Sequence, residues 1–410
     1  MFDDLRKPYA DPNAPAASGP ADSVKQIPDT DTGGDAAQRR YRQLCNTANI
    51  PLFSQAWWLD ATAGPGNWGV ALVERGGQVV ASLPYAPRRL YGFSVIAQPA
   101  LAKMAAPWLA PMAGKPARML GQKKELMDEL IGQLPRFDHF QQHWDPSQTN
   151  WLPFAWKGFR QTTKYTYVLD DLSDTAALWN GMQHNIRGEI RKAGSRHGLQ
   201  VRDDLGIDEF IQLNRQVFTR QRMPLPYTDD YVRRLDAACA ARGARKIFIA
   251  VDKQGYRHAG VYLVWDGQVA YYLMAGSDPK LRTSGASSLC IWDAIRFASG
   301  VARTFGLRRF GAGAGRALLQ GIRRQAAALL LCSEDPISHT SDLPVPAFAP
   351  QALRYDLDDI VQLPERQVLG NKDASPVPPD HLHSASTPQV QRRGIAIQKR
   401  QVFLDNLGQR

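Results

Sequence analysis

The sequence has 410 residues, of which 44% are hydrophobic and 22% charged, with a formal net charge of +11. This length favours two or more domains, and no apolar run approaches the ~20 residues that span a bilayer. The acidic, Pro- and Ala-rich N-terminus lacks the apolar stretch of a signal peptide, so we expect a cytoplasmic protein. Four cysteines without C-x-x-C spacing argue against a zinc site or a disulfide framework.

The first half of the chain is predicted to alternate strands and helices after a disordered tail at residues 1–38, which is rich in Pro, Ala, Gly and Asp. The predicted elements, from periodicity and from turn residues, are a helix over 37–62, a hairpin over 68–74 and 78–85, a helix over 116–134 and a strand over 139–144. We expect these elements to form one lobe over residues 39–165.

Residues 151–163, WLPFAWKGFRQTT, combine aromatic and cationic side chains. They have two interpretations. One is a wall of an acceptor pocket, with Lys157 and Arg160 facing an anion. The other is a seam between domains, where the aromatic rings serve packing.

The second half begins with three predicted amphipathic helices over 175–196, 207–222 and 227–241. The first of them has a basic face with Arg187, Arg191 and Lys192. Such a face is either a solvated helix surface or a means of attracting a polyanion, such as CoA, a nucleotide-linked sugar or an aminoacyl-tRNA.

Three strands are then predicted over 246–251, 259–265 and 269–274, with Asp-Gly at one of the turns between them. A polar loop follows, and small residues from Gly285 onward open a further helix. The unsatisfied N–H groups of a helix start bind phosphate or another anion well. Arg282, just ahead of this start, can add a charge-assisted hydrogen bond.

The run from Arg282 to Gly285, Ala286 and Ser287 resembles the R/Q-x-x-G-x-G/A turn with which GNAT acyltransferases hold the pyrophosphate of an acyl-CoA. Ser287 departs from the Gly or Ala of that pattern. Residues 185–193, NIRGEIRKA, resemble the R-x-x-I-R-K-A helix of the FemAB-like and CelD-like acyltransferases, and the similarity carrying these motifs covers residues 185–305.

This resemblance implies an α/β fold of two GNAT-like lobes, with mixed, largely antiparallel sheets flanked by helices. The lobe over 39–165 would be degenerate, and the lobe over 166–305 would hold the donor. The implied function is transfer of an acyl or aminoacyl group to an amine of a cell-envelope or polysaccharide precursor. The donor would be acyl-CoA or another acyl carrier, with tRNA as the alternative carrier and no metal involved.

Transfer requires a base, a stabilised oxyanion and a leaving group. The expected catalytic residues are Asp278, at the end of a strand, and Tyr272. Asp278 could instead form the turn before Pro279. The expected site residues are Arg282, Gly285, Ala286 and Ser287 for the donor, and Arg187, Arg191, Lys192 and Asp293 for the substrate. The lone histidines, His184 and His258, are interpreted as structural, and no Ser-His-Asp pattern is legible.

Residues 307–336 show the Gly, Ala, Arg and Leu bias of a GC-rich coding strand read in the wrong frame. A back-translation read one nucleotide later gives FEGSVLEPVERFF, which resembles the expected end of the family. We therefore hypothesise a frameshift near Gly306, with residues 306–410 as an off-pattern segment and disordered tail. The second lobe would then be incomplete, its sheet would end in an open edge, residues 311–331 would be helical or loose, and activity would be weak or absent. The function alternative to acyl transfer is therefore a non-catalytic or inactive GNAT-like pseudo-enzyme. The alternative to a frameshift is a genuine Arg/Ala-rich helix followed by a tail.

Overall fold

The computed structural model describes residues 35–145, 147–148, 150–307 and 325–334. Within them the helices are α1 (Ala36–Thr47), α2 (Ala56–Thr62), α3 (Pro116–Gly132), α4 (Leu152–Trp156), α5 (Thr175–Gly181), α6 (His184–Ser195), α7 (Ile207–Gln221), α8 (Asp229–Ala241) and α9 (Ala286–Ala298). The strands are β1 (Gly69–Arg75), β2 (Gln78–Tyr85), β3 (Pro87–Leu90), β4 (Phe93–Ala97), β5 (Trp108–Leu109), β6 (His139–His143), β7 (Arg160–Leu169), β8 (Gln200–Arg202), β9 (Arg245–Val251), β10 (Arg257–Trp265), β11 (Val269–Ser277), β12 (Thr304–Leu307) and β13 (Gln325–Glu334).

Two predicted helices are each interrupted. The helical pattern over 37–62 is divided between α1 and α2, because Pro51 lacks the N–H that a continuous helix needs and stands before a short 3₁₀ turn. The pattern over 175–196 is divided between α5 and α6 at Met182, whose backbone is extended. Helix α1 begins within the predicted tail, and its N-cap Asp35 accepts a hydrogen bond from the Gln38 amide at 2.8 Å.

The strands form a three-stranded sheet, β1-β2-β5, and a ten-stranded sheet of order β3-β4-β6-β13-β7-β12-β11-β10-β9-β8. The fold is therefore the predicted α/β class, with two GNAT-like lobes of mixed, largely antiparallel sheets flanked by helices. Strand β7 lies where the two lobes join, because it separates the strands of the first half from β12 and β11. The sheet is thus continuous from one lobe into the other.

Strand β13 corrects the prediction made for the end of the chain. Residues 325–334 pair antiparallel with both β6 and β7, so residues after Gly306 do supply a strand. The predicted open edge at β12 is also wrong, since β12 lies between β11 and β7. The physical reason is the apolar run AAALLLC, which suits a central strand as well as a helix, and periodicity alone does not separate the two. Residues 308–324 and 335–410 lie outside the described part.

The second-lobe sheet is covered on both faces, as the alternation along β10 demonstrates. Val261 and Leu263 belong to the hydrophobic core formed with α6 and α9. Tyr262 and Val264 belong to a separate core with α2, α7 and α8. Because successive side chains of a strand point to opposite faces, these two cores lie on opposite sides of the sheet. The loops after β11 therefore emerge between two layers of helices.

Helix α7 packs closely on β11 at Gly276, where a side chain would have no room. A Cβ atom there would lie 2.6 Å from Leu213 Cβ and 2.7 Å from the Asn214 backbone nitrogen. Gly276→Ala should therefore lower the free energy of unfolding by about 1–3 kcal/mol, the cost of overpacking a core, in urea denaturation. Gly188→Ala in α6 is the matched control, because its Cβ meets no atom within 4 Å. Equal stability of the two variants would contradict the close packing of α7 on β11.

Candidate functional site

Strand β11 extends beyond the described part of β12. The two strands pair from Val269 opposite Thr304 to Tyr272 opposite Leu307, and β11 continues to Ser277. Residues 273–277 form the C-terminal end of β11, next to the loop that leads into α9.

A β-bulge interrupts β11 at Leu273. Tyr262 lies opposite Met274 while Leu263 lies opposite Tyr272, which leaves Leu273 as the extra residue of β11. A bulge takes its residue out of the ladder and re-aims the neighbouring groups, and bulges are frequent beside active sites. The bulge therefore marks the beginning of the C-terminal end of β11 at residues 273–277.

A buried hydrogen-bonded chain from α7 supports this part of β11. The Asn214 side-chain amide donates to the Ala275 carbonyl oxygen at 2.6 Å. The Tyr227 hydroxyl donates in turn to Asn214 Oδ1 at 3.0 Å. Burial raises the pKa of the Tyr227 phenol, so it remains a hydrogen-bond donor at neutral pH. A side chain thus satisfies a carbonyl that lies beyond the end of β12 pairing.

The loop after β11 leads directly into the start of α9, where the four predicted donor residues stand together. Arg282 opens an exposed 3₁₀ turn, Gly285 is the N-cap, and Ala286 begins the helix. Among the described residues no side chain caps this start. The N–H groups of the first turn are suited to an anion, and Arg282 adds a cation just ahead of them in the chain. Anion binding itself stays a prediction.

Gly285 is required by the fold as well as by any ligand. Its φ of +75° lies in the left-handed region, and a Cβ would stand 2.8 Å from the Glu189 backbone oxygen of α6. The sequence analysis assigned Gly285 to the donor turn, whereas the structure reveals that α6 closely approaches this residue. The Glu189 carboxylate also accepts a hydrogen bond from Ser288 in the first turn of α9, at 3.1 Å.

A cleft of about 190 Å³ adjoins this loop. Its lining comes from α7, from the turn before β10 and from the loop after β11; these residues are Gln212, Leu213, Gln216, Gly255, Tyr256, Arg257, Asp278 and Leu281. The Oε1 atom of Gln216 is buried and has no hydrogen-bond partner among the described residues. Because a buried polar atom without a partner is costly, Gln216 marks a place for a ligand donor.

Of the two predicted catalytic residues, Asp278 lines the cleft and Tyr272 does not. Asp278 Oδ1 accepts a hydrogen bond from the Lys280 amide at 2.7 Å, so the carboxylate also forms the turn that the alternative interpretation expected. Tyr272 is 5% exposed and lies in the core beneath α9. Burial raises the pKa of the Tyr272 phenol, which opposes a role as a base.

The predicted substrate-binding residues lie on α6 and α9, and none of them lines the cleft. The Arg191 guanidinium lies 5.5 Å from the Trp179 ring centroid, and Asp293 accepts a hydrogen bond from Arg296 at 3.0 Å. Arg187 is half-buried and Lys192 is exposed. The structure therefore does not bring these four residues to the cleft that contains Asp278.

The aromatic segment at 151–163 serves packing in the first lobe. Phe154 and Phe159 are buried in one core, with ring centroids 5.0 Å apart. Lys157 forms an ion pair with Asp128 at 2.9 Å. These contacts support a packing role for the rings, but the packing lies within the first lobe rather than at a seam between domains.

Sequence reasoning missed Asn214, Gln216 and the bulge at Leu273. Both polar residues lie within an amphipathic helical pattern and carry no motif that would separate them from surface residues. The bulge depends on the register between β10 and β11, which the sequence of β11 does not encode by itself.

Two other features are absent from the described residues. No group of three or more His, Cys, Asp or Glu side chains among them could hold a metal ion. No helix within the same residues is long and apolar enough to cross a membrane.

One family model matches part of the chain. Residues 180–317 match the family model described as an acetyltransferase (GNAT) domain, which supports the predicted GNAT superfamily. The match extends beyond Gly306, so the predicted loss of family sequence at that residue is wrong for residues 307–317. No curated protein matches the chain.

Solved structures with a similar course of the chain have low sequence identity. FemX is 12% identical, with 73% of this chain and 96% of FemX covered at a TM-score of 0.49. A tandem GNAT protein from the clavulanic acid biosynthesis pathway is 13% identical, with 74% and 96% covered at 0.44. L-PGS from Bacillus licheniformis is 11% identical, with 68% and 87% covered at 0.40. All three TM-scores are below 0.5, so these similarities support no conclusion about function.

Proposed function

We propose that the protein is an acyl or aminoacyl transferase of the GNAT type that modifies an amine of a cell-envelope or polysaccharide precursor. The observation that carries the proposal is that the bulged end of β11 stands in the chain close to a helix start, which no side chain of the described residues caps. The helix start would bind an anion, and the strand would bind a carbonyl group. An acyl-CoA contains both, as a pyrophosphate and a thioester.

On the donor side, we infer that Arg282 and the first N–H groups of α9 hold the pyrophosphate. A helix start carries roughly half a positive charge, and the guanidinium adds a full one. The pantetheine arm of the donor would then extend along the end of β11 at residues 273–277, toward the bulge. This arm contains amide groups, so it can hydrogen-bond to a strand as a short strand does.

The chemistry proposed at the bulge is direct transfer. The amine nitrogen attacks the thioester carbonyl carbon, the oxygen becomes an oxyanion, and the carbon–sulfur bond breaks to release the thiol. A backbone N–H near Leu273 would stabilise the oxyanion. The Asp278 carboxylate, half-exposed in the cleft, would take the amine proton through a water molecule, and that proton would finally reach the leaving thiolate.

On the acceptor side, the cleft contains aromatic, cationic and polar side chains. Tyr256 offers an exposed ring, Arg257 a cation and Gln216 a buried oxygen without a partner among the described residues. A cation and a hydrogen-bond acceptor suit an amine that is attached to an anionic precursor. The formal net charge of +11 also favours encounter with such a substrate. The assignment to envelope or polysaccharide precursors rests on the FemAB-like sequence resemblance.

Arg282→Ala tests the donor assignment. It should weaken acetyl-CoA binding by about 1–3 kcal/mol, the scale of a charge-assisted hydrogen bond, in titration calorimetry of the full chain. The free energy of unfolding should not change, because Arg282 is exposed. Lys280→Ala is the control, since Lys280 is an exposed cation of the same loop outside the proposed anion turn. Equal acetyl-CoA affinity of both variants and the wild type would reject the assignment.

Acetyl-CoA binding without transfer to any amine would indicate the non-catalytic module that is the alternative from the sequence. Measurement of product formation distinguishes an enzyme from a non-catalytic module. Purified wild-type chain is incubated with acetyl-CoA and a panel of amino sugars and peptidoglycan-type peptides, and thiol release is followed. Release that requires the amine supports an enzyme, and binding without release supports the non-catalytic module.

A further inference from the structure

One buried residue, His258, contacts the loop before α9 at both of its ends. The His258 backbone oxygen accepts a hydrogen bond from the Asp278 amide at 2.9 Å. Its ring Nδ1 lies 3.0 Å from Ser284 Oγ. Asp278 begins the loop and Ser284 immediately precedes Gly285, so one residue at the start of β10 spans the whole segment 278–284.

Ser284 Oγ links the imidazole to the loop. The Ser284 hydroxyl donates to the Leu281 carbonyl oxygen at 2.7 Å, and His258 Nδ1 lies within hydrogen-bond distance of the same Oγ. Within the loop, the Leu281 amide donates to the Asp278 carbonyl oxygen at 3.2 Å, and the Ser284 amide donates to the Leu281 carbonyl oxygen at 3.2 Å. His258 therefore anchors a loop that is also held by its own hydrogen bonds.

Asp252 fixes the other side of the imidazole. Its Oδ2 lies 3.1 Å from His258 Nε2, and its Oδ1 accepts from the amides of Gln254 and Tyr256 at 3.0 and 2.9 Å. Desolvation acts to raise the pKa of the Asp252 carboxyl, but the His258 and backbone hydrogen bonds outweigh it and lower that pKa. The ring is therefore held in one orientation by a carboxylate that is itself held by the turn before β10.

The order Asp252, His258, Ser284 has the connectivity of a nucleophilic triad, but the geometry excludes that function. Ser284 is 5% exposed, and its hydroxyl proton is given to a main-chain carbonyl. A serine nucleophile instead gives its proton to the imidazole and must be accessible to substrate. The chain of contacts thus acts on the position of the loop rather than on a reacting atom.

We propose that His258 is a positioning residue that sets the geometry of the anion-binding turn at Arg282, Gly285 and Ala286. The proposal rests on the proposed function, because it assigns a role within the same donor site. The donor then meets a turn that is already ordered, so binding loses less conformational freedom. Without the Nδ1 contact, the turn samples several arrangements and binds the donor less tightly.

Two isosteric substitutions separate the contacts of the ring. His258→Asn places an amide nitrogen near the position of Nδ1 and keeps a donor toward Ser284. His258→Gln places one near the position of Nε2 and keeps the contact with Asp252. Both variants remove the imidazole from the same buried site, so their global stabilities should decrease alike. We expect His258→Gln to weaken acetyl-CoA binding about fivefold to tenfold, the scale of one hydrogen bond, and His258→Asn to weaken it much less.

Hydrogen–deuterium exchange without ligand gives the second readout. In His258→Gln, the amides of Leu281 and Ser284 should exchange faster than in the wild type, whereas His258→Asn should restore their protection. In a Ser284→Ala background, the difference between the two variants should disappear, because the partner of Nδ1 is gone. Full-length protein is used throughout, and chemical denaturation confirms that each variant folds.

The outcomes are distinguishable from failure of the proposed function. If wild-type protein binds no acetyl-CoA, the donor assignment is wrong, and exchange still decides whether His258 positions the loop. Faster loop exchange in His258→Gln with rescue in His258→Asn supports the inference. Equal loop exchange in both variants, or an unchanged difference in the Ser284→Ala background, overturns it.

Discussion

Gly285→Val should lower the free energy of unfolding by about 3 kcal/mol or more, in urea denaturation. Two costs add at this position. A β-branched residue at φ +75° carries left-handed strain of roughly 1–2 kcal/mol. Its Cβ would also stand 2.8 Å from the Glu189 backbone oxygen, and overpacking adds about 1–3 kcal/mol. Because the clash is with backbone, α6 and α9 must move apart.

The control is Gly194→Val, which lies on α6 in an ordinary helical conformation with no atom within 4 Å of its Cβ. That variant should be nearly as stable as the wild type. If Gly285→Val keeps wild-type stability and loses only acetyl-CoA binding, the glycine serves the ligand alone, and the packing of α6 on the turn is refuted.

Asn214→Leu is expected to destabilise the protein by about 2–4 kcal/mol and to disturb the end of β11. The substitution removes the donor to the Ala275 carbonyl oxygen and the acceptor of the Tyr227 hydroxyl. Each buried group left without a partner costs about 1–3 kcal/mol. Leucine has the same branched arrangement of heavy atoms as asparagine, so the substitution removes the hydrogen bonds while keeping that shape.

Tyr227→Phe is the companion variant, because it removes the hydroxyl but leaves the bond from Asn214 to Ala275. It should cost about 1 kcal/mol, clearly less than Asn214→Leu. Equal losses in the two variants would mean that the bond to the Ala275 carbonyl contributes nothing, and the support of the β11 edge by α7 would have to be abandoned.

The second-lobe core was predictable because its signals are local. Three strands with Asp-Gly at one turn, followed by small residues that open a helix, correspond to β9, β10, β11 and α9 with small shifts of their ends. Turn residues and strand formers act over a few positions, so the sequence of each segment contains most of what determines it. The place of Arg282, Gly285 and Ala286 at the start of this helix was predictable for the same reason.

Long-range pairing explains the larger misses. Strand β7 has the polar sequence RQTTKYTYVL, and its neighbour β13 comes from residues more than a hundred positions later in the chain. Nothing near β7 in sequence indicates this partner, since register in a sheet follows from tertiary packing. Gly285 shows another limit, because the sequence predicted its place at the helix start but not the close approach of Glu189 on α6. Tyr272 suits a strand, but the sequence does not reveal that α9 covers its side chain.

The central claim is that the start of α9 and the end of β11 at residues 273–277 together bind an acyl-CoA-type donor. The most direct test is hydrogen–deuterium exchange of the 410-residue protein with and without acetyl-CoA. The account predicts saturable protection of two segments, residues 282–289 and residues 273–277, which are contiguous with the helix start and with the bulge. Saturable binding that leaves both segments unprotected, or no binding at millimolar acetyl-CoA, would contradict it.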